Sequence, residues 1–225
     1  MRILGIETST MTGSVALMDE ERLIAEYTLN LRETHTSRLM PAIDRILKDA
    51  SLTLKDLDGI AVSLGPGSFT GLRIGIATAK GLAQGLNIPI VGIPTLDGLA
   101  FNLFHCKDLI CPILDARKGE VYCALYRNRK RLTKHMACEP DELLKKIALR
   151  VKGQGSRAIF LGDGIEVYGD LIKKKLGKKA VFAPKARRLP SASSIAELGL
   201  RKLRGKKKSE LSTLKPIYVR APVER

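Results

Sequence analysis

Histidine is scarce in this chain of 225 residues, and its three copies, His35, His105 and His135, never pair. No H-x-x-x-H, H-E-x-x-H or H-x-H spacing occurs, so a metallohydrolase is poorly supported. Cysteine is almost as sparse. Cys106, Cys111, Cys123 and Cys138 form no C-x-x-C pair. Structural zinc needs closely paired ligands, so these read as small buried thiols near strands. No apolar run approaches about 18 residues, which argues against a transmembrane helix. The opening "MRILGIETST" lacks the long apolar core of a signal peptide, and Glu7 interrupts it early. The expected compartment is the cytoplasm, with no membrane contact.

Nucleotide and hydrolase signatures are missing too. Gly65-Pro66-Gly67 stands between an apolar run and a helical pattern, where glycines often cradle a phosphate. A Walker A loop needs G-x-x-x-x-G-K-[ST], but Gly65 and Gly71 are six apart and Leu72-Arg73 follow. A dinucleotide fingerprint needs a third glycine where Thr70 stands. No G-x-S-x-G elbow occurs. A tight turn feeding a helix N-terminus remains, and Ser68 or Thr70 can cap that terminus.

What is present is an alternating order of elements. "RILGIET", "GSVALMD" and "RLIAEYTLN" read as three strands of an antiparallel meander. A helix over Thr34–Ala50 follows, with Leu39, Ile43, Ile46 and Leu47 at helical spacing. Then come a strand "GIAVSLG", a long helix Phe69–Leu86, a strand "IPIVGI" and a helix "TLDGLAFNLF". The order β-β-β-α-β-α-β-α is that of a ribonuclease-H-like α/β unit, expected over residues 1–105. Residues 106–225 read as a second, smaller α/β domain, a degenerate copy of the first. In it "LICPILDA" and "EVYCALYRN" are strands, and "SASSIAELGLRKLR" is a last helix. The tail "PIYVRAPVER" is extended and docks back on the body.

Charge divides the chain unevenly. Residues 1–126 hold 12 Lys/Arg against 14 Asp/Glu, a net of −2. Residues 127–225 hold 27 against 9, a net of +18. Such asymmetry points to a polyanion such as RNA, while runs like Lys173-Lys174-Lys175 also suit a solvated face.

Two further features carry candidate chemistry. Glu7 ends the first strand and is followed by Thr8, Ser9 and Thr10; in actin-like ATPases an acid there faces phosphate and magnesium. Asp115 ends a later strand and Asp163 lies in "GDG", so the three acids could line a cleft, as strand ends in α/β sheets do. The long helix holds Gly71, Gly75, Ala77, Ala79, Gly81 and Gly85. Each helical glycine costs ~0.5–1 kcal/mol relative to alanine, so close approach of another backbone is expected. On spacing alone, that backbone belongs equally to its own domain or to a second chain.

The blocks "ILGIETSTMTGSVAL", "ETHTSRLMPAIDRIL", "GIAVSLGPGSFTGLRIGIATAKGLAQGLNIPIVGIPTLDGLA", "LDARKGEVYCALY" and "LGDG" resemble the TsaB (YeaZ) family. That family takes part in making threonylcarbamoyladenosine on tRNA. The resemblance is dense over residues 1–126 and thins afterwards, apart from "PIYVR". It implies an actin-like ATPase (sugar kinase, Hsp70, actin) superfamily fold. It also implies a non-catalytic, pseudo-enzyme subunit that partners a catalytic TsaD paralogue, joins a TsaE-like ATPase and forms a homodimer when alone. The paralogue carries a metal-binding His-x-x-x-His pair; Thr95 and Leu99 align there, so no metal centre is expected. Older names call such proteins glycoproteases, which the missing ligands make doubtful. The resemblance implies that the two first-domain helices form the partner contact, here with Leu39, Ile43, Ile46, Gly71, Gly75, Ala79 and Gly81. Glu7, Thr8, Ser9 and Asp115 would then be a vestigial nucleotide cleft. No cofactor is expected on this chain alone, with ATP or ADP at a complex interface. The competing expectations are an independent actin-like ATPase or small-molecule kinase using Glu7 and Asp115, and a tRNA-binding module acting through the basic half.

Overall fold

The computed structural model describes residues 1–29, 35–153, 155–205 and 209–219. Two compact units emerge. The first joins Met1–Gly98 with Pro190–Ile217, and the second is built on Leu99–Leu189.

The first unit starts with β1 (Ile3–Glu7), β2 (Gly13–Met18) and β3 (Leu23–Leu29). They pair antiparallel as a meander. Helix α1 (His35–Asp49) leads to β4 (Gly59–Ser63), α2 (Phe69–Leu86), β5 (Ile90–Ile93) and α3 (Thr95–Phe101). The sheet order is β3-β2-β1-β4-β5, with β1, β4 and β5 parallel. β1 and β4 are buried along their whole length, as expected for strands covered on both faces. One face carries α1 and α2 through a core of Leu4, Ile6, Val62, Ile43, Ile46 and Ile76.

The other face corrects the sequence reading. Helix α6 (Ala192–Arg204) was expected in a second domain spanning 106–225, yet it closes the first unit. Its Ile195, Ala196, Leu200 and Leu203 pack with Ile3, Ala61, Val91 and Ile93. The physical reason is a match of small residues. A Cβ on Gly5 would overlap the Ala192 carbonyl, and one on Gly199 would overlap the Ala61 Cβ. The helix therefore lies close on β1 and β4. Ser191 Oγ caps it by accepting the Ser194 N–H. The following chain stays with this unit: Ser209 N–H donates to Ile90 O, and Ile217 N–H to Leu64 O.

The second unit repeats the plan. Its strands are β6 (Leu109–Arg117), β7 (Glu120–Cys123), β8 (Tyr126–Arg127), β9 (Lys130–Arg131), β10 (Met136–Cys138), β11 (Ala158–Leu161) and β12 (Ala180–Phe182). Helices α4 (Pro140–Arg150) and α5 (Gly164–Leu176) complete it. The order β10-β7-β6-β11-β12 reproduces β3-β2-β1-β4-β5 with the same pairing senses. The stretch read as one strand, "EVYCALYRN", is two. It breaks after Cys123, and β8 turns onto β6 and β9 as an added hairpin. No described helix is long and apolar enough to cross a membrane.

Candidate functional site

In the first unit, β1 delivers Glu7, Thr8 and Ser9 to the carboxyl end of the sheet. All three are at most 1% exposed. Glu7 Oε1 accepts the Ser9 backbone N–H at 2.6 Å and the Ser63 hydroxyl at 3.1 Å. Its Oε2 is buried without a hydrogen-bond partner, as is Ser9 Oγ. Burial pushes the Glu7 carboxyl up to about 7, against the opposing pull of its bonds from Ser9, Ser63 and Thr8. Ser63 was not singled out in the sequence. Its only signal is that it ends the strand beside β1.

The Gly65-Pro66-Gly67 turn is packed against this end. The Gly65–Pro66 peptide is cis and Gly65 has φ 103°. Gly65 N–H donates to Thr95 Oγ1 at 3.1 Å, and Gly65 O accepts the Thr95 N–H at 2.8 Å. Ser68 N–H donates to Ser9 O at 2.6 Å, and Ser68 Oγ caps α2 by accepting the Gly71 N–H. A Cβ on Gly67 would overlap the Ser9 carbonyl. Three N–H groups that an anion would need are thus already used inside the protein. Thr95 and Leu99 are each fully buried. The Thr95 hydroxyl serves the turn.

Asp115 belongs to the second unit and Glu7 to the first. Its Oδ1 accepts the Arg117 N–H at 2.9 Å, and the Arg117 guanidinium is 3.3 Å from Oδ2. Its own N–H donates to Asp163 Oδ1 at 3.0 Å. Burial first, and then the charges of Asp115 and Glu166, raise the Asp163 carboxyl. Among the described residues, no group of three or more His, Cys, Asp or Glu side chains stands close enough to hold a metal.

Helix α2 resolves the small-residue pattern into two opposite rows. Gly71, Gly75, Ala79 and Ala83 face inward. Thr8 Oγ1 donates to Gly71 O at 2.8 Å, and a Cβ on Gly75 would overlap that same hydroxyl. Phe69, Arg73, Ala77, Gly81 and Gly85 face outward, and nothing lies within 4 Å of a Cβ at 81 or 85. The rows are two residues apart, roughly 200° around the helix. Gly71, Gly75 and Ala79 therefore serve packing within the unit, a correction to their expected place at a subunit contact. Leu39, Ile43 and Ile46 need the same correction. They are 6%, 1% and 0% exposed and belong to the core under α1. Of the residues expected at the contact, Gly81 remains outward, with the Arg73 guanidinium stacked 3.7 Å from the Phe69 ring centre on the same row.

Two ribonuclease-H-like units, each with the 3-2-1-4-5 strand plan, define an actin-like ATPase superfamily fold. Residues 22–224 match the family described as TsaD, tRNA N6-adenosine threonylcarbamoyltransferase. The chain is 37% identical over 220 residues to the tRNA threonylcarbamoyladenosine biosynthesis protein TsaB of Bacillus subtilis, covering 98% of this chain and 94% of that one. It is 32% identical to TsaB of Escherichia coli, covering 98% and 95%. The solved structure of YeaZ from Pseudomonas aeruginosa superposes with a TM-score of 0.79 at 24% identity, covering 96% and 99%. The chain belongs to the TsaB (YeaZ) family of tRNA threonylcarbamoyladenosine biosynthesis proteins.

Proposed function

We propose that this chain is a non-catalytic subunit that binds a TsaD-like paralogue and holds it in its active arrangement. The paralogue then transfers a threonylcarbamoyl group to adenosine 37 of tRNAs reading codons that begin with A, with a TsaE-like ATPase joining the assembly. The observation that carries this is the outward row Phe69, Arg73, Ala77, Gly81 and Gly85 on α2. Small side chains at i, i+4 and i+8 let a second helix approach closely, and dispersion contacts add up over several turns. Phe69, 46% exposed, supplies an apolar anchor that the chain's own core leaves uncovered. The same row serves a second copy of the chain when the paralogue is absent. The passive role is supported by Thr95, whose hydroxyl is spent on the Gly65 turn, and by Leu99, which has no donor atom.

Co-purification with the paralogue tests this, followed by tRNA modification with and without the chain. Gly81→Trp is expected to weaken the complex at least about tenfold, because an indole would stand where the partner backbone comes close. Its unfolding midpoint should not fall below that of wild type, since position 81 faces open space and tryptophan is a better helix former than glycine. Full modification activity in the absence of the complex would sink the scaffold role.

A further inference from the structure

The second unit carries a groove of about 410 Å³ lined by Lys107, Asp108, Arg127, Asn128, Ser156 and Arg157, with Gly155. Three cations face one carboxylate there, and Arg157 already engages that carboxylate at 3.0 Å. Along the rim runs the β8–β9 hairpin, "YRNRKR", whose Arg129, Lys130 and Arg131 are exposed. Buried within the groove wall, Arg127 Nε has no hydrogen-bond partner.

The hairpin tip is unusual in its own right. Arg127 pairs with Lys130, so Asn128 and Arg129 form a two-residue turn. Their φ angles are 51° and 63°. Such turns favour Asn-Gly, because the second position needs a left-handed backbone that glycine adopts freely. Here an arginine occupies the glycine position. The chain holds a guanidinium at the tip despite the conformational cost.

We propose that this groove and hairpin bind the sugar–phosphate backbone of base-paired RNA, as presented by a folded tRNA; this rests on the proposed role in tRNA modification. The concentrated positive charge matches a polyphosphate, and buried or forked guanidiniums suit phosphate oxygens. Duplex rather than single-stranded RNA is favoured because stacking platforms are missing. The chain has no tryptophan and 4% aromatic residues, and none of the groove-lining residues is aromatic. The sequence reading placed RNA contact on the basic half without locating it; the run Lys173-Lys174-Lys175 noted there lies on α5 and does not line this groove.

Fluorescence anisotropy on the full chain tests the proposal, with an unmodified transcript of a tRNA that reads codons beginning with A. A single-stranded poly(U) of equal length serves as the comparison. Lys107→Glu/Arg129→Glu/Lys130→Glu is expected to lose at least about tenfold in tRNA affinity, and its log–log salt slope to fall by about two to three. Lys173→Glu/Lys174→Glu/Lys175→Glu should leave that slope unchanged. Arg129→Gly is the sharper variant. It should raise the melting temperature, because glycine takes the left-handed position at no steric cost, while weakening tRNA about threefold. The proposal is overturned if the first variant, folded by circular dichroism, binds tRNA like wild type. It is equally overturned if the α5 variant loses as much, or if poly(U) binds as tightly as tRNA. A first variant that loses the paralogue but keeps tRNA would make the groove a protein contact instead. A wild-type chain that binds tRNA through the groove but never the paralogue would support the groove and overturn the scaffold role.

Discussion

Alanine at position 75 is expected to lower stability by about 1–3 kcal/mol, the usual range for overpacking a filled interior. Alanine at position 81 is expected to raise it by about 0.5–1 kcal/mol. Both substitutions add one methyl group to a glycine of the same helix. The opposite signs follow from the two rows of α2. At position 75 the methyl meets Thr8 Oγ1, which is fully buried and donates to Gly71 O. Rotating that hydroxyl away forfeits a hydrogen bond worth about 1 kcal/mol and leaves Gly71 O short of a partner. At position 81 the methyl enters open space and only the helix propensity changes. Urea unfolding with equal slopes for all variants would measure both. Thr8→Ala introduced with Gly75→Ala should recover part of the loss, since the clashing atom is gone. Equal shifts of the same sign at both positions would refute the assignment of faces.

Glu7→Gln is expected to change how stability depends on pH. The folded-state value of Glu7 is about 7, raised from 4.5 mainly by burial. Between these values the folded protein holds a proton that the unfolded chain releases. The stability contributed by Glu7 is therefore full below about pH 4.5 and is lost as pH rises to about 7. The full difference amounts to about 3 kcal/mol. Glutamine keeps an oxygen to accept the Ser9 N–H and the Ser63 hydroxyl but cannot ionise. The stability difference between wild type and Glu7→Gln should thus shift by about 3 kcal/mol in favour of the variant from pH 4.5 to 7.5. Acidic surface groups such as Asp19 and Asp56, held low by backbone hydrogen bonds, cancel in this difference. A difference that stays constant across that range would show that Glu7 titrates normally.

Much of the first unit was legible because its strands alternate or run apolar and its helices begin and end at clear signals. Ser68 capped α2 as expected, and the order β-β-β-α-β-α-β-α was observed through α3. What escaped the sequence was destination. Nothing in "SASSIAELGLRKLR" says which sheet it covers. The clue is complementary size, Gly199 against Ala61 and Gly5 against Ala192, and size matching becomes visible only when the partners are known. The two rows of α2 were merged for a similar reason. Periodicity tells which residues share a face, but small residues on both faces hide which one is inside. The β8–β9 hairpin was missed because its turn lacks the glycine that usually marks one. Thr34, the expected first residue of α1, lies outside the described residues.

Helix α6 sets an order on synthesis. On a ribosome, β1 to β5 emerge within the first hundred residues, and yet Ile3, Ala61, Val91 and Ile93 find their covering side chains only in Ile195 to Leu203. Until then, one face of the sheet is bare apolar surface, of the kind that invites aggregation or chaperone capture. The second unit, Leu99–Leu189, is translated entirely within that interval. The first unit, begun before the second, is thus completed after it. Premature termination before residue 192 would leave the first unit with an uncovered sheet.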